Sequence, residues 1–175
     1  MTASARDRIE VVVGDITRES TDAIVNAANN ELGPGGGVAG AIQRAAGPRL
    51  LEACEPLGGC ETGDAKATED FDLPARWVIH TVGPVWHGGD ADEESLLASC
   101  YRRSLEVAVE IGAASVSFPA ISTGIFGFPP NRAAPIAVST VAEVLHETDA
   151  IETVRFVCFD EDSAALHREA LDKLA

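Results

Sequence analysis

Positive charge is what this 175-residue chain most lacks: Lys and Arg number 13 against 28 Asp and Glu, a formal net charge of −15. A field of that sign repels nucleic-acid backbones, so nonspecific DNA or RNA binding is not expected. Any phosphate would have to be held by local backbone dipoles rather than drawn in by long-range attraction. Paired cysteines are lacking too. Cys54, Cys60, Cys100 and Cys158 form no C-x-x-C unit and read as buried thiols of a reducing compartment, not as disulfides or zinc ligands. His80, His87, His146 and His167 never fall at metal-ligand spacing, so neither a metal nor another cofactor is expected. No apolar run is long enough to cross a bilayer and the N-terminal stretch has no apolar core, which leads to the expectation of a cytoplasmic protein without membrane contact. Repeats, low-complexity tracts and Pro/Ser-rich linkers are missing, so residues 1–175 are expected to form a single domain, most simply a monomer.

What the chain has is an ordinary globular balance, 46% hydrophobic and 23% charged, arranged as strands alternating with helices. Residues 9–13 and 23–26 are short apolar strands. Residues 41–54 are helical, broken at Gly47-Pro48, and residues 77–82 form a strand stopped by Gly83-Pro84. From Ser95 the period changes: Leu97, Tyr101, Leu105 and Val109 recur every fourth residue, the mark of a long amphipathic helix. Residues 115–118 are a strand, Asn131 is placed to cap a helix running through His146, residues 153–159 are a strand, and Leu166, Ala170, Leu171 and Leu174 belong to a closing helix. Such alternation predicts a sheet covered by helices on both faces, with any ligand beyond the carboxyl ends of the strands.

Three unusual segments follow strands. The first joins Asn26-Ala-Ala-Asn-Asn30 to Gly33-Pro-Gly-Gly-Gly-Val38 and leads into a helix that begins near Ala39. Glycine-rich backbone at a helix mouth can hold a phosphate without a cationic side chain, and the asparagines upstream suit sugar hydroxyls. Gly35, Gly37 and Gly40 also spell G-x-G-x-x-G, but no strand runs directly into them and no acidic strand end follows at the right distance, so a dinucleotide fold is not implied. No Gly-Lys-Ser/Thr is present for a Walker A loop.

The second segment, Ser122-Thr-Gly-Ile-Phe-Gly-Phe128, offers hydroxyls, free amides and two aromatic rings suited to a diphosphate and a ribose. In the third, Asp15 after Gly14 can accept from an exocyclic amine while the Ile16 amide donates to a ring nitrogen; a cap onto Thr17 is the equally common alternative. Phe159 can stack on a base, although by itself a phenylalanine ending an apolar strand reads as core. A catalytic triad is not expected: His80 lies within a strand as a satisfied core residue, Cys60 has no basic neighbour, and residues 90–94 read as a solvated acidic face.

Taken in order, these segments make the chain resemble a macrodomain of the MacroD type. The likeness runs through Gly14-Asp-Ile-Thr17, Asp22-Ala-Ile-Val-Asn-Ala-Ala-Asn29, Gly35-Gly-Gly-Val38, Arg44-Ala-Ala-Gly47, Val78-Ile-His-Thr-Val-Gly-Pro84 and Phe118-Pro-Ala-Ile-Ser-Thr-Gly124. The resemblance implies a three-layer α/β/α fold with a mixed central sheet and a cleft for ADP-ribose. It also implies a hydrolase acting on O-acetyl-ADP-ribose or on mono-ADP-ribosylated acidic side chains of proteins. By that analogy Asp15 and Ile16 meet adenine under Phe159, and Asn29 reaches the distal ribose. Amides of Gly36, Gly37 and Val38 and of Ser122, Thr123, Gly124, Ile125 and Phe126 hold the pyrophosphate, with Asn29, Gly124 and Phe126 shaping the reacting end. One departure stands out. MacroD-like enzymes usually carry Asp after Gly-Gly-Gly-Val, assigned to activating water; here that residue is Ala39, and Gln43 replaces a frequent His. Two readings follow: an esterase whose water is positioned by the substrate's own phosphate, or a module that binds ADP-ribose and releases nothing. Glu31 is a candidate substitute acid or base, set against a plain solvated glutamate.

Overall fold

Strands rich in β-branched residues, buried on both faces, assemble here into one six-stranded mixed sheet. The structure, a computed structural model, describes residues 4–174. The strands are β1 (Ile9–Val13), β2 (Ala23–Ala27), β3 (Ala65–Glu69), β4 (Trp77–Thr81), β5 (Ser115–Phe118) and β6 (Thr153–Cys158), in the order β1-β6-β5-β2-β4-β3. All neighbours are parallel except β3, which runs antiparallel to β4 at the edge.

Alternation along each strand feeds two cores. Ala23, Val25, Ile79, Val116, Phe118, Val154 and Phe156 point to one side, where α3 (Glu93–Glu110), α4 (Pro130–Glu147) and α5 (Glu161–Asp172) cover the sheet. Ile24, Val78 and Val157 point to the other, against Ile42 and Ala46 of α1 (Gly37–Ala46) and Leu50 of α2 (Arg49–Cys54). The expected three-layer α/β/α arrangement is therefore present. In the larger core the rings of Tyr101 and Phe118 lie 4.9 Å apart and those of Phe118 and Phe156 6.1 Å. Each such side chain removed from water contributes about 1.5–3 kcal/mol before entropy is counted.

Four sequence expectations need correction. The edge strand β3 has no counterpart among the strands the sequence pattern predicts. The first glycine-loop helix begins at Gly37, two residues before Ala39. Asn131 does not cap α4: the helix starts one residue earlier at Pro130, whose fixed φ and missing N–H suit a first turn, and no side chain caps it. Nor are residues 90–94 all solvated, since Glu93 is fully buried. The four cysteines are free and buried, as expected, and burial raises each thiol pKa. The break at Gly47-Pro48 falls where the sequence predicts it, between α1 and α2.

Candidate functional site

Because β1, β6, β5 and β2 are parallel neighbours, their carboxyl ends share one edge of the sheet. The chain leaves β2 for α1 on one face and leaves β5 for α4 on the other. A crevice opens where adjacent strands send their connections to opposite sides. Its two walls are the loops that stand out in the sequence, and they lie close together: a Cβ built on Gly36 would be 3.8 Å from Ile125 Cδ1.

The wall after β2 is shaped by two side-chain amides. Asn29 Oδ1 accepts from Gly33 N at 2.9 Å, and its Nδ2 donates to Pro34 O at 3.2 Å. Gln43, one turn into α1, accepts from Gly35 N at 3.2 Å and donates to Gly33 O at 3.0 Å. Residues 33–35 are thus satisfied inward. Gly36 then caps α1 without any side-chain bond, and the N–H groups of Gly36, Gly37, Val38 and Ala39 take no partner among the described residues. These are the orphan donors of a helix N-terminus, carrying the positive end of its dipole. Gly40 allows the close turn: a Cβ there would fall 2.7 Å from Gly35 O.

The wall after β5 is a double turn. Thr123 N donates to Ala120 O at 3.4 Å, Gly127 N to Gly124 O at 3.0 Å, and Phe128 N to Ser122 O at 2.9 Å. Ser122 holds a left-handed φ of 66° and is buried, with its Oγ unpartnered. The amides of Gly124, Ile125 and Phe126 have no acceptor among the described residues. Nothing lies within 4 Å of a Cβ built on Gly124, and Ile125 is 87% exposed. Phe126 is half-buried, whereas Phe128 is fully buried against Trp86, with ring centroids 4.8 Å apart. Neither wall contains a lysine or arginine within residues 26–43 or 119–129.

At the far end of the edge, Asp15 follows β1. Its Oδ1 accepts from Thr17 N at 2.9 Å and from Thr17 Oγ1 at 2.6 Å, and that hydroxyl bond, first among the causes, holds its pKa below the ordinary carboxylate value. The capping alternative is therefore what the structure contains; Asp15 Oδ2 has only Arg18 Nε at 3.9 Å. Ile16 is buried in the core on the α1 side. Phe159 is 94% exposed, which overturns the reading of this ring as core. It leaves β6 beside the end of β1, since Val13 pairs with Cys158.

Several candidate chemical groups are arranged for structure instead. His80 is buried, with Nδ1 3.0 Å from Asn26 Nδ2 and Nε2 2.9 Å from Thr68 Oγ1; desolvation lowers its pKa to about 4, so it is a neutral core histidine. Asn30, for its part, ties to Cys60 O at 3.0 Å. Glu31 is exposed, and α1 has no acidic residue in its first turn, where Ala39 sits buried beneath Gly35. Among the described residues no cluster of His, Cys, Asp and Glu could hold a metal ion. No helix there is long and apolar enough to cross a membrane. Gln43 as a loop-shaping group, and the segment from Gly83 to Glu93 behind the second wall, are not among the site candidates that the sequence offers. The only signal for them is proximity along the chain to motifs of recognisable shape.

Fold and crevice together define an α/β/α protein whose sheet carries an amide-lined cleft at its topological switch. The pattern that defines the Macro domain family matches residues 25–137. A Klebsiella pneumoniae protein named O-acetyl-ADP-ribose deacetylase is 54% identical over 166 residues, 93% of this chain and 95% of that protein. The Oceanobacillus iheyensis macrodomain with ADP superposes with a TM-score of 0.91 at 44% identity, covering 98% of this chain and 94% of the other. The Trypanosoma brucei macrodomain in complex with ADP-ribose gives 0.89 at 40% identity, covering 94% of this chain and 69% of the other. This chain belongs to the macro domain family.

Proposed function

We propose that this protein binds ADP-ribose in the crevice and hydrolyses ADP-ribose esters, either O-acetyl-ADP-ribose or mono-ADP-ribose on acidic side chains. One observation carries the reading: two facing runs of unpartnered amides, residues 36–39 and 124–126, with no cationic side chain in either wall. A diphosphate satisfies such donors and, in a chain of net charge −15, offsets local dipoles rather than a charged patch. Adenine then lies at the β1–β6 end, its exocyclic amine on the free oxygen of Asp15 and its face under Phe159. The distal ribose lies beside Asn29 and Phe126. The names of relatives point the same way, one as an O-acetyl-ADP-ribose deacetylase and others as macrodomains holding ADP or ADP-ribose.

With Ala39 where MacroD-like enzymes carry an aspartate, no carboxylate takes the water's proton from the start of α1. The water instead rests between a substrate phosphate oxygen, which accepts its proton, and the 124–126 backbone. For O-acetyl-ADP-ribose it adds to the ester carbonyl, the bond between the carbonyl carbon and the ribose oxygen breaks, the phosphate returns the proton to that oxygen, and acetate and ADP-ribose leave. An ester is already activated, so positioning supplies much of the acceleration. The missing base costs about 10²–10⁴-fold, which makes this a slow enzyme. Ala39 equally favours a second reading, a binding module without turnover. Calorimetry with ADP-ribose tests the shared part. A single-turnover assay with protein in excess, on O-acetyl-ADP-ribose and on a glutamate-ADP-ribosylated peptide, separates the two. Product formed faster than in buffer is expected; binding with no such product leaves the reader, and no binding removes both.

A further inference from the structure

Glu93 lies at the first position of α3, in an acidic run, yet it is fully buried. Its Oε2 accepts from His87 N at 2.7 Å and Gly89 N at 2.9 Å, and its Oε1 from Ala91 N at 2.6 Å. Three charge-assisted bonds from one carboxylate draw residues 87–91 into a closed loop. Those bonds, that of the His87 amide first, hold the Glu93 pKa down to about 2, so the carboxylate is an anion at neutral pH. No ligand is needed to explain the charge: the loop amides satisfy it.

The consequence lies one residue before this loop. Trp86 N donates to Phe126 O at 2.8 Å, and the Trp86 ring packs on Phe128, so the same residue grips both ends of the second wall's last turn. Arg132 of α4 lies over the Trp86 ring, 5.0 Å from its centroid, and pairs with Glu94 at 2.9 Å. A second point of contact stands at Gly83, where a Cβ would fall 2.1 Å from Ser122 Oγ and 2.7 Å from Ile121 Cγ2. Segment 83–93 is thus a brace against both ends of the 121–128 turn, at Ile121 and Ser122 and at Phe126 and Phe128. Among the described residues no backbone hydrogen bond joins residues 83–93 to residues 33–39 of the other wall.

We infer that Glu93, acting through Trp86, is a positioning residue that sets Phe126 against the distal ribose and so discriminates ADP-ribose from ligands lacking that sugar. The role rests on the functional reading above. It touches neither the adenine end nor the amides of residues 36–39, so it acts on one end of the ligand only. Loss of the brace leaves adenosine and diphosphate recognition in place and removes the contribution of the terminal sugar. A residue that merely stabilises the fold would affect both.

The test compares binding of ADP-ribose and of ADP, which lacks the distal ribose, by calorimetry on the full chain. Glu93→Gln keeps the shape but turns an N–H donor toward the loop amides. It should weaken ADP-ribose by about tenfold while ADP changes less than about twofold. Because a buried change can cost folding, Arg132→Gln is the companion: it is exposed, it loosens Trp86 from the outside, and it should shift the same ratio in the same direction by a smaller factor. Trp86 fluorescence should report the loosened ring in both variants. If the wild type binds both ligands and the variants weaken them equally, or weaken neither, the positioning role is wrong while the functional reading stands. Should Glu93→Gln fail to fold, an unchanged ratio in Arg132→Gln overturns the role by itself. If the wild type binds neither ligand, the functional reading falls and takes this role with it.

Discussion

In the wall after β2 the Gly33–Gly35 turn itself is fastened by its own neighbours in sequence, although Asn30 at its base ties to Cys60, whereas the turn after β5 is fastened by residues far away in the chain. Asn29 and Gln43 reach no more than ten residues to hold Gly33, Pro34 and Gly35. The second wall hangs instead on Tyr101, whose hydroxyl lies 3.4 Å from both Pro119 O and Ile121 N, on Trp86, and on the burial of Phe128. Four side-chain hydrogen bonds, each worth about 1 kcal/mol, hold the first; aromatic packing inside the core holds the second. The first wall is therefore the one a polar substitution loosens. The second tolerates the loss of the Tyr101 hydroxyl bonds but not the loss of packing around Trp86 and Phe128.

The largest expected effect tests whether the second wall really faces a ligand. Gly124→Glu places a carboxylate where the backbone is open, with nothing within 4 Å of the new Cβ. The fold has no reason to suffer, while an anion now occupies the diphosphate site. Calorimetry should show ADP-ribose binding reduced beyond detection, at least about 10³-fold, with an unchanged melting temperature. Affinity equal to wild type would move the ligand elsewhere.

Next in size is Ala39→Asp in the first wall. Ala39 is buried beneath Gly35, with its Cβ 3.3 Å from where a Cβ on Gly35 would lie, so a carboxylate at 39 stands within the first wall. It also meets the positive end of α1, which favours it by about 0.3–1 kcal/mol. Single-turnover hydrolysis of O-acetyl-ADP-ribose should rise by about 10²-fold or more, the usual worth of a general base. A neutral result would mean that the water lies out of reach of residue 39.

The two walls and their supports are also unequally legible in the amino-acid sequence. The glycine loop and the Ser122–Phe128 turn announce themselves because their chemistry is local: glycines, asparagines and helix starts declare backbone geometry within a few residues. Strands such as Trp77–Thr81 and Thr153–Cys158 are rich in β-branched and aromatic residues, and the pattern places them to within a residue. β3 escapes because Ala-Lys-Ala-Thr-Glu at an antiparallel edge has weak strand propensity and only two of its five residues fully buried. Glu93 escapes for a related reason. Its neighbours Asp92 and Glu94 are exposed, and only the fold of residues 87–91 around it turns one carboxylate of the run inward. Phe159 misleads in the opposite sense: β6 ends at Cys158, one residue sooner than its hydrophobicity suggests, and the ring falls outside the layer that would have covered it.

A matched pair of mild substitutions sharpens the contrast between the walls. In the first wall Gln43→Ala removes both the acceptor for Gly35 N and the donor to Gly33 O. The loop stays soluble but loses its preset shape, so ADP-ribose affinity should fall about tenfold, with stability changed by less than about 1 kcal/mol because the freed groups can be hydrated.

Tyr101→Phe is the counterpart in the second wall and the smallest effect of all. The ring stays buried against Phe118 and Phe156, so packing is conserved and only two long hydrogen bonds are lost. Pro119 O and Ile121 N are left buried without that partner, a cost of about 1–2 kcal/mol read by urea denaturation. Ligand affinity should nevertheless stay within about twofold, because Trp86 and Phe128 still hold the turn. The two substitutions thus predict opposite splits between binding and stability. Were Tyr101→Phe to weaken ADP-ribose as much as Gln43→Ala, the second wall would be held bond by bond like the first, and its aromatic anchorage would not explain its shape.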